Sequence, residues 1–504
     1  MSESFSLQRP ALPKTTRRLR KEDCIIADKR ELRRAQIGAG VGNFIEWYDI
    51  GIYGYLAVVM TSVFTEGMDK SWGLLVTLLG FAVSFVVRPL GGMILGPLGD
   101  KIGRRKVLFF TIALMAGATT LIGLLPSAGQ VGLWVIAPLY LLKMIQGFST
   151  GGEYSGAATY IAEFSPDRSR GYMTALLNSG SMLGFAAGAG VVAITTHLTT
   201  SAWGENAMLE GGWRIPFLLA LPLGILAISL RGSLPESPSF EHAQEKSATQ
   251  ELNPLFMRHN LPNIIRHYWP QILVGLALIA ADGTASYTLT SYMPTYLETE
   301  VGSPAVHTAV AAVLVLVIQA VLIPLIAIWS DRIGRKAIYT IAAVGNLVLL
   351  LPAFMLMHVG ELWSLYLALF MVMVPSAFFL AMTGCVMAEL FPTASRYGCV
   401  GLTHNLAVSI FGGTTPLVSQ ALVQFTGNSY APALYVMFFS AVALVAVVKM
   451  RETAGRPLLG SVPVVYTEAE AEALANGQDT DEKLDTSTML LTPVAAGAAS
   501  PIQR

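Results

Sequence analysis

Long apolar runs separated by short polar punctuation recur along this chain. They lie near residues 37–63, 72–98, 107–126, 133–162, 171–197 and 213–231, then 270–297, 306–329, 337–357, 362–388, 397–421 and 430–449. About 20 such residues are what a helix needs to cross roughly 30 Å of hydrocarbon, so each run is predicted to be a membrane-spanning helix. The segment Gly232–Trp269, between the sixth and seventh runs, is too hydrophilic to span. The expectation is an all-α polytopic membrane protein of twelve transmembrane helices, with six-helix halves at 37–231 and 270–450. A tail at 1–36, a central loop at 232–269 and a tail at 451–504 flank them.

Composition agrees. Of 504 residues, 53% are hydrophobic and only 13% charged, about half the charged share of a soluble domain, and mean hydropathy is +0.55. Net charge is zero, so nothing points to nucleic acid. Cys24, Cys385 and Cys399 have no paired spacing, and neither a disulfide framework nor a metal site is implied. No nucleophile–base pattern, metal-ligand spacing or phosphate-binding loop stands out. An enzyme is not expected, nor a cofactor beyond a coupling ion.

Basic residues set the orientation. Arg17, Arg18, Arg33 and Arg34 precede span 1, Lys101, Arg104, Arg105 and Lys106 follow span 2, Arg168 and Arg170 follow span 4, and Arg332, Arg335 and Lys336 follow span 8. The alternate loops carry mostly Asp and Glu. The positive-inside rule then puts both termini in the cytoplasm and the chain in the cell membrane. The Lys- and Arg-bearing N-terminus lacks a short apolar core with a cleavage site and reads as a cytoplasmic tail.

The halves repeat one another. "GPLGDKIGRRK" after span 2 returns as "AIWSDRIGRKA" after span 8, with Asp100 and Asp331 displaced by 331 − 100 = 231 residues. "AEFSPDRSRG" after span 4 returns as "AELFPTASRYG" after span 10, with Glu163 matching Glu389 (389 − 163 = 226) and Arg170 matching Arg396 (396 − 170 = 226). Two separate loops with nearly equal displacement make the halves pseudo-symmetric copies, and substrate sites in duplicated transporters lie between such halves near the midplane.

Charges inside the spans mark candidate chemistry, because a carboxylate in hydrocarbon costs roughly 3 kcal/mol on insertion scales. Asn43, Glu46, Asp49 and Tyr53 fall on one face of span 1, which is expected to line a watery central cavity. On span 4, Lys143, Gln146, Thr150 and Tyr154 share a face, with Glu153 at its edge and about 15 Å of helix between Lys143 and Glu153. Arg88, Asp282, His404 and Asn405 complete the set. Four acids (Glu46, Asp49, Glu153, Asp282) against two bases (Arg88, Lys143) suit uptake and release of a coupling cation; carboxylates with Asn and Ser oxygens serve H+ or Na+. Trp47, Tyr48, Tyr53 and Tyr154, with Asn178, His404 and Asn405, are the candidate substrate-contacting residues. Aromatic faces attract an ammonium, while Arg88 or Lys143 would hold a carboxylate. That mixture fits a small zwitterion.

The loop Gly96-x-x-x-Asp100-Lys101-x-Gly103-Arg104-Arg105 resembles the signature of the major facilitator superfamily, and Asp331-Arg332-x-Gly334-Arg335-Lys336 resembles its second copy, with Ala327 in place of the first glycine. "GNFIEWYD", "GGEYSGAATYIAE" and "GGWRIPFLLALPLG" resemble the metabolite:proton symporter branch. "SYMPTYLE", "LPESPSFE" and "RETAGRPLLG" are most similar to its proline/betaine transporters. The resemblance implies a proton-coupled importer of compatible solutes such as proline, ectoine or betaine, serving osmotic stress. It also implies a conformational gate at Gly96, Asp100, Gly103, Arg104, Arg105, Asp331, Arg332, Gly334 and Arg335, with Glu163, Arg170, Glu389 and Arg396. Organic-anion symport (2-oxoglutarate, citrate or shikimate) and a non-transporting solute sensor are the alternatives. The tail after Gly460 ("TEAEAEALANGQDTDEK") has no sustained heptads and reads as disordered, so osmosensing by a coiled coil does not carry over.

Overall fold

The computed structural model describes residues 18–102, 104–151, 153–232, 261–481, 483–486 and 489. Strand β1 (Ile25–Ile26) precedes α1 (Lys29–Tyr55), which kinks at Leu56 and continues as a short helix to Phe64. α2 (Lys70–Ile102), α3 (Arg104–Leu124), α4 (Ala128–Phe164, in segments), α5 (Arg170–Trp203) and α6 (Met208–Leu226) complete the first half. The second half holds α7 (Leu261–Tyr287, extended in register-shifted turns to Val301), α8 (Ala305–Ile333), α9 (Arg335–Met357) and α10 (Leu362–Leu390). α11 (Thr393–Ala407, continued to Thr426) and α12 (Ala431–Lys449) close it, followed by β2 (Val464–Val465) and α13 (Glu468–Gly477).

Among the described residues twelve long helices form the all-α architecture expected. Ten of these are long and apolar enough to cross a membrane, and α3 contributes the shorter apolar stretch Phe109–Leu124. α1 is the twelfth; its basic start and its Asn43, Glu46 and Asp49 lower its hydropathy. The first and seventh helices begin earlier than the apolar runs, at Lys29 and Leu261, because a helix satisfies its own backbone in water as well as in lipid. The central loop at 233–260 lies outside the described residues. Outward-facing Leu79, Val86, Leu121, Val321, Val348 and Phe438 are exposed, as a hydrocarbon-facing exterior requires.

Small residues let the helices that carry the charges pack closely. A Cβ at Gly91, Gly147 or Gly151 would collide with the backbone of Phe148, Ser84 or Arg88, so α2 and α4 touch backbone to backbone around Arg88 and Lys143. At the α8–α9 corner Gly334 has φ +109°, a conformation that only glycine adopts readily.

The described part of the tail departs from the expectation of disorder. β2 pairs in parallel with β1, Ile25 against Val464 and Ile26 against Val465, and α13 is capped by Thr467, whose side chain accepts from the Glu470 amide. Leu19 and Met489 are buried together, with Cys24, Val462 and Leu484 packed around them. Composition underestimated this segment because its apolar residues bury against the other end of the chain rather than against each other.

Candidate functional site

α1 turns its polar face into the first half, toward partners on α2, α3 and α5, instead of toward open water. The Asn43 amide donates to the Leu177 carbonyl (2.8 Å) and to Ser181 Oγ, and accepts from Trp47 Nε1 (2.9 Å). Glu46, 1% exposed, pairs with Arg88 at 3.1 Å. The Arg88 guanidinium lies 4.2 Å from the Phe85 ring centre and 5.6 Å from that of Trp47. Tyr287 of α7 closes the group, 5.9 Å from Trp47 and 5.2 Å from Phe85. An arginine thus occupies an aromatic enclosure built by both halves.

One helical turn along α1, Asp49 accepts from Thr119 Oγ1 (2.9 Å), which in turn accepts from Gln146 Nε2 (2.6 Å). Among the described residues Asp49 Oδ1 has no hydrogen-bond partner. Lys143 is buried within electrostatic reach of Asp49, its Nζ 4.2 Å from the centre of the Tyr53 ring. Tyr53 donates to the Thr77 carbonyl (2.9 Å) and so packs Lys143 in place. Tyr48 is buried and donates to the Pro216 carbonyl (3.3 Å) on α6.

The second half contributes Asp282, which accepts from Thr383 Oγ1 (2.6 Å) and Ser286 Oγ (3.1 Å). Ser376 bridges Ser286 and the Gln319 amide, each at 3.2 Å. Among the described residues no Lys or Arg pairs with Asp282. Tyr154, Asn178, His404 and Asn405 come together at the contact between the halves. Tyr154 donates to Asn178 Oδ1 (2.8 Å) and stacks on His404 at 4.5 Å. Asn178 donates to the Leu380 carbonyl (2.7 Å) and Asn405 to that of Gly151 (2.8 Å). The Glu153 side chain lies outside the described residues.

At the end bearing the basic loops the halves interlock reciprocally. Arg170 reaches Glu389 (3.4 Å) and its copy Arg396 reaches Glu163, the copy of Glu389 (2.7 Å). Arg335 joins Asp331 (2.7 Å) and Glu389 (3.2 Å). Asp331 also accepts from the Gly171 and Tyr172 amides, both at 3.0 Å, at the start of α5, where free N–H groups and the helix dipole favour an anion. Gly334 shapes the corner next to this network. Gly96, Asp100, Arg104 and Arg105 have side-chain placements outside the described residues, as does all of Gly103. Arg332 is exposed and makes no ion pair among the described residues, so the structure gives it no gate contact. The opposite end is closed as well: Gln424 donates to the Ser71 carbonyl (3.0 Å), and Trp72 packs edge-on to Phe425.

Sequence reading missed Phe85, Tyr287, Thr119 and Glu452. The last follows α12 and accepts from the Arg335 (2.8 Å) and Lys336 (3.1 Å) amides at the start of α9, while Thr453 Oγ1 donates to Glu389 Oε2 (2.5 Å). The "RETAG" segment was a visible signal; which helix it would cap was not. The shifted turns at Thr288–Tyr292 and Val408–Gly412, just after the Asp282 and His404 turns, also have no sequence signature. Such bulges are frequent at functional sites.

The chain belongs to the sugar (and other) transporter family, whose profile matches residues 35–461. The ectoine/proline transporter ProP of Corynebacterium glutamicum is 51% identical over 475 residues, 94% of each chain. The glycine betaine/proline/ectoine/pipecolic acid transporter OusA of Dickeya dadantii is 38% identical over 90% of each chain, and the proline/betaine transporter of Escherichia coli K12 is 37% identical over 92% of each. Among solved structures, the proton:xylose symporter XylE bound to 6-bromo-6-deoxy-D-glucose superposes with a TM-score of 0.64 at 18% identity, covering 85% of this chain and 98% of that one, which supports the fold. This is a multi-pass membrane transporter.

Proposed function

We propose that this chain is a proton-coupled symporter that imports small zwitterionic osmolytes, of the proline, ectoine and betaine kind, across the cytoplasmic membrane, and that it is not an enzyme. The observation that carries the reading is the Glu46–Arg88 pair enclosed by Trp47, Phe85 and Tyr287, with Asp49 one turn away. A substrate carboxylate competes with Glu46 for the Arg88 fork, and the cationic nitrogen takes the aromatic faces that the guanidinium leaves. Glu46, released from its base, then gains by taking up a proton, so solute and proton binding reinforce one another. Glu46 and Asp49 are the coupling acids on this reading, Lys143 steadies Asp49, and Asp282 shapes the site from the second half. Binding at the midplane and rocking of the halves carry the solute across. The basic-loop end is the cytoplasmic one by the positive-inside rule. An inward proton gains about 2.3 kcal/mol per 100 mV of membrane potential, enough to drive accumulation of a neutral solute. The 51% identity to an ectoine/proline transporter supports the substrate class.

The test is uptake of radiolabelled proline and ectoine by purified protein in sealed vesicles under an imposed pH gradient. Uphill uptake should collapse with a protonophore. Glu46→Gln and Asp49→Asn should lose accumulation while keeping solute exchange, whereas Asp282→Asn should accumulate solute with an altered KM. Transport of citrate or 2-oxoglutarate in place of either osmolyte would overturn the substrate class, and undiminished accumulation by Glu46→Gln would overturn the coupling role.

A further inference from the structure

Residues 18–27 meet the segment that follows α12 across the closed basic-loop end, and the path of the tail sets up a mechanical conflict with opening there. Leaving α12, the tail is first bound to the second half. Glu452 caps α9, and the Leu459 carbonyl accepts from the Thr393 amide (2.9 Å) and from Arg396 (3.0 Å). It then crosses to the first half. The Val464 amide donates to Asp167 (3.2 Å), the Tyr466 and Ser169 hydroxyls meet at 2.7 Å, and Glu470 pairs with Arg168 at 3.5 Å; upstream of Leu459 the Arg456 carbonyl already accepts from Arg170 of the first half (3.0 Å). Here it also takes up the N-terminal strap. The Ile25 amide donates to Pro463 O and the Ala27 amide to Val465 O, both at 2.9 Å; Lys21 pairs with Glu468 (2.9 Å), and Leu19 and Gln478 exchange two hydrogen bonds (2.9 and 3.2 Å).

The strap runs directly into α1, two residues after Ala27, and α1 carries Glu46 and Asp49. The tail is continuous with α12 and stays with the second half when the halves part. Opening toward the cytoplasm must therefore break both the contacts at residues 167–169 and the strap–tail strand pair. We propose that residues 18–27 and 462–481 form an intramolecular clasp that holds the cytoplasmic end closed and whose release permits inward opening. This rests on the transporter reading, through rocking, but not on which solute is carried. The clasp contacts that must break are surface ion pairs, single hydrogen bonds and a two-residue strand pair, weak enough to open and re-form in each cycle.

The experiment locks the clasp by a disulfide. Ile25 and Val464 are paired residues of adjacent strands, within the reach a disulfide requires. Burial pushes the Cys24 thiol up to about 11, and Cys24→Ser removes it from the background. In Cys24→Ser with Ile25→Cys and Val464→Cys, oxidation should slow solute exchange severalfold, and reduction should restore it. Amide hydrogen exchange gives a readout that needs no solute: oxidation should slow exchange at Gly171 and Tyr172, whose amides are covered by Asp331 only while that end is closed. A second variant works in the opposite sense through surface residues that do not endanger folding. Lys21→Ala with Glu470→Ala should raise exchange per folded transporter and speed hydrogen exchange at the same amides. Unchanged Gly171 and Tyr172 protection in a fully cross-linked protein, or in the double alanine variant, would overturn the clasp. Altered protection without transport of any osmolyte would keep the clasp and remove only the substrate assignment.

Discussion

Asp49 on α1 and Asp282 on α7 stand at matching places in the two halves, 282 − 49 = 233 residues apart, yet their surroundings have diverged. Asp49 sits in a charged network: Glu46 and Arg88 as a buried pair, and Lys143 nearby. Displaced by the repeat, Arg88 corresponds to Gln319 (319 − 88 = 231) and Lys143 to Met373 (373 − 143 = 230). Asp282 is accordingly surrounded by hydroxyls and an amide. At the basic-loop end the copies have stayed alike, Glu163 with Arg396 and Glu389 with Arg170. The difference teaches where symmetry is needed. On the proposed function, a seal between two rocking bodies is made by both in the same way, whereas charge exchange between proton and solute needs one place where opposite charges can separate and re-pair.

The sharpest way to break this comparison is to give the first half the second half's residue. Arg88→Gln leaves Glu46 buried without its base, and losing one partner of a buried pair costs about 3–5 kcal/mol. Folded yield should fall steeply and transport should be lost. Adding Glu46→Gln removes the remaining carboxylate of the broken pair, so the double variant should recover folded protein, measured by monodispersity in detergent, while remaining unable to accumulate solute. Accumulation by the double variant would show that the asymmetry has nothing to do with coupling.

The gate offers a smaller contrast between copies that share a motif. Glu389 is 4% exposed and holds Arg170, Arg335 and Thr453, whereas Glu163 holds Arg396 with its side chain 33% exposed. Glu389→Gln weakens two buried arginine contacts at once and should lower thermal stability by about 3 kcal/mol or more. Glu163→Gln, partly screened by water, should cost about 1 kcal/mol or less. Thermal unfolding in detergent checks the order, and equal losses would mean that the repeat, not burial, sets the energetics.

Much of this was legible before any coordinates. Repeat displacement identified Glu163, Glu389, Arg170 and Arg396 as equivalents, and the structure joins them crosswise. Asp331 accepts from helix N-terminal amides, a role that a short acid beside a basic loop can be expected to fill. What pairs with what inside the membrane was less visible. A helical-wheel angle places Asn43, Glu46, Asp49 and Tyr53 on one face but does not say whether that face meets water or three neighbouring helices. Tyr48 and Tyr154 look alike in sequence; packing turns one to the Pro216 carbonyl and the other onto His404. The tail was misjudged because propensity is summed locally, while its apolar partners lie more than 400 residues away.

The tail also supplies an element that the repeat lacks, and this gives the mildest test. α3 and α9 begin at copies of one motif, at Arg104 and Arg335, and Glu452 caps α9. Burial pushes the Glu452 carboxyl up, but four amides, those of Arg335, Ala454, Lys336 and Thr453, outweigh it and hold the group below its ordinary value of 4.5. A carboxyl held below its ordinary value stabilises the fold fully above that value, and the stabilisation is lost as pH falls through the lower, folded one. Glu452→Ala should therefore lower stability by about 1 kcal/mol near neutral pH, as loss of a helix cap does. The gap between parent and variant should narrow as pH drops below 4.5. Thermal unfolding of both proteins across that range decides it: a gap independent of pH would mean that Glu452 acts by packing and not by its charge on the α9 amides.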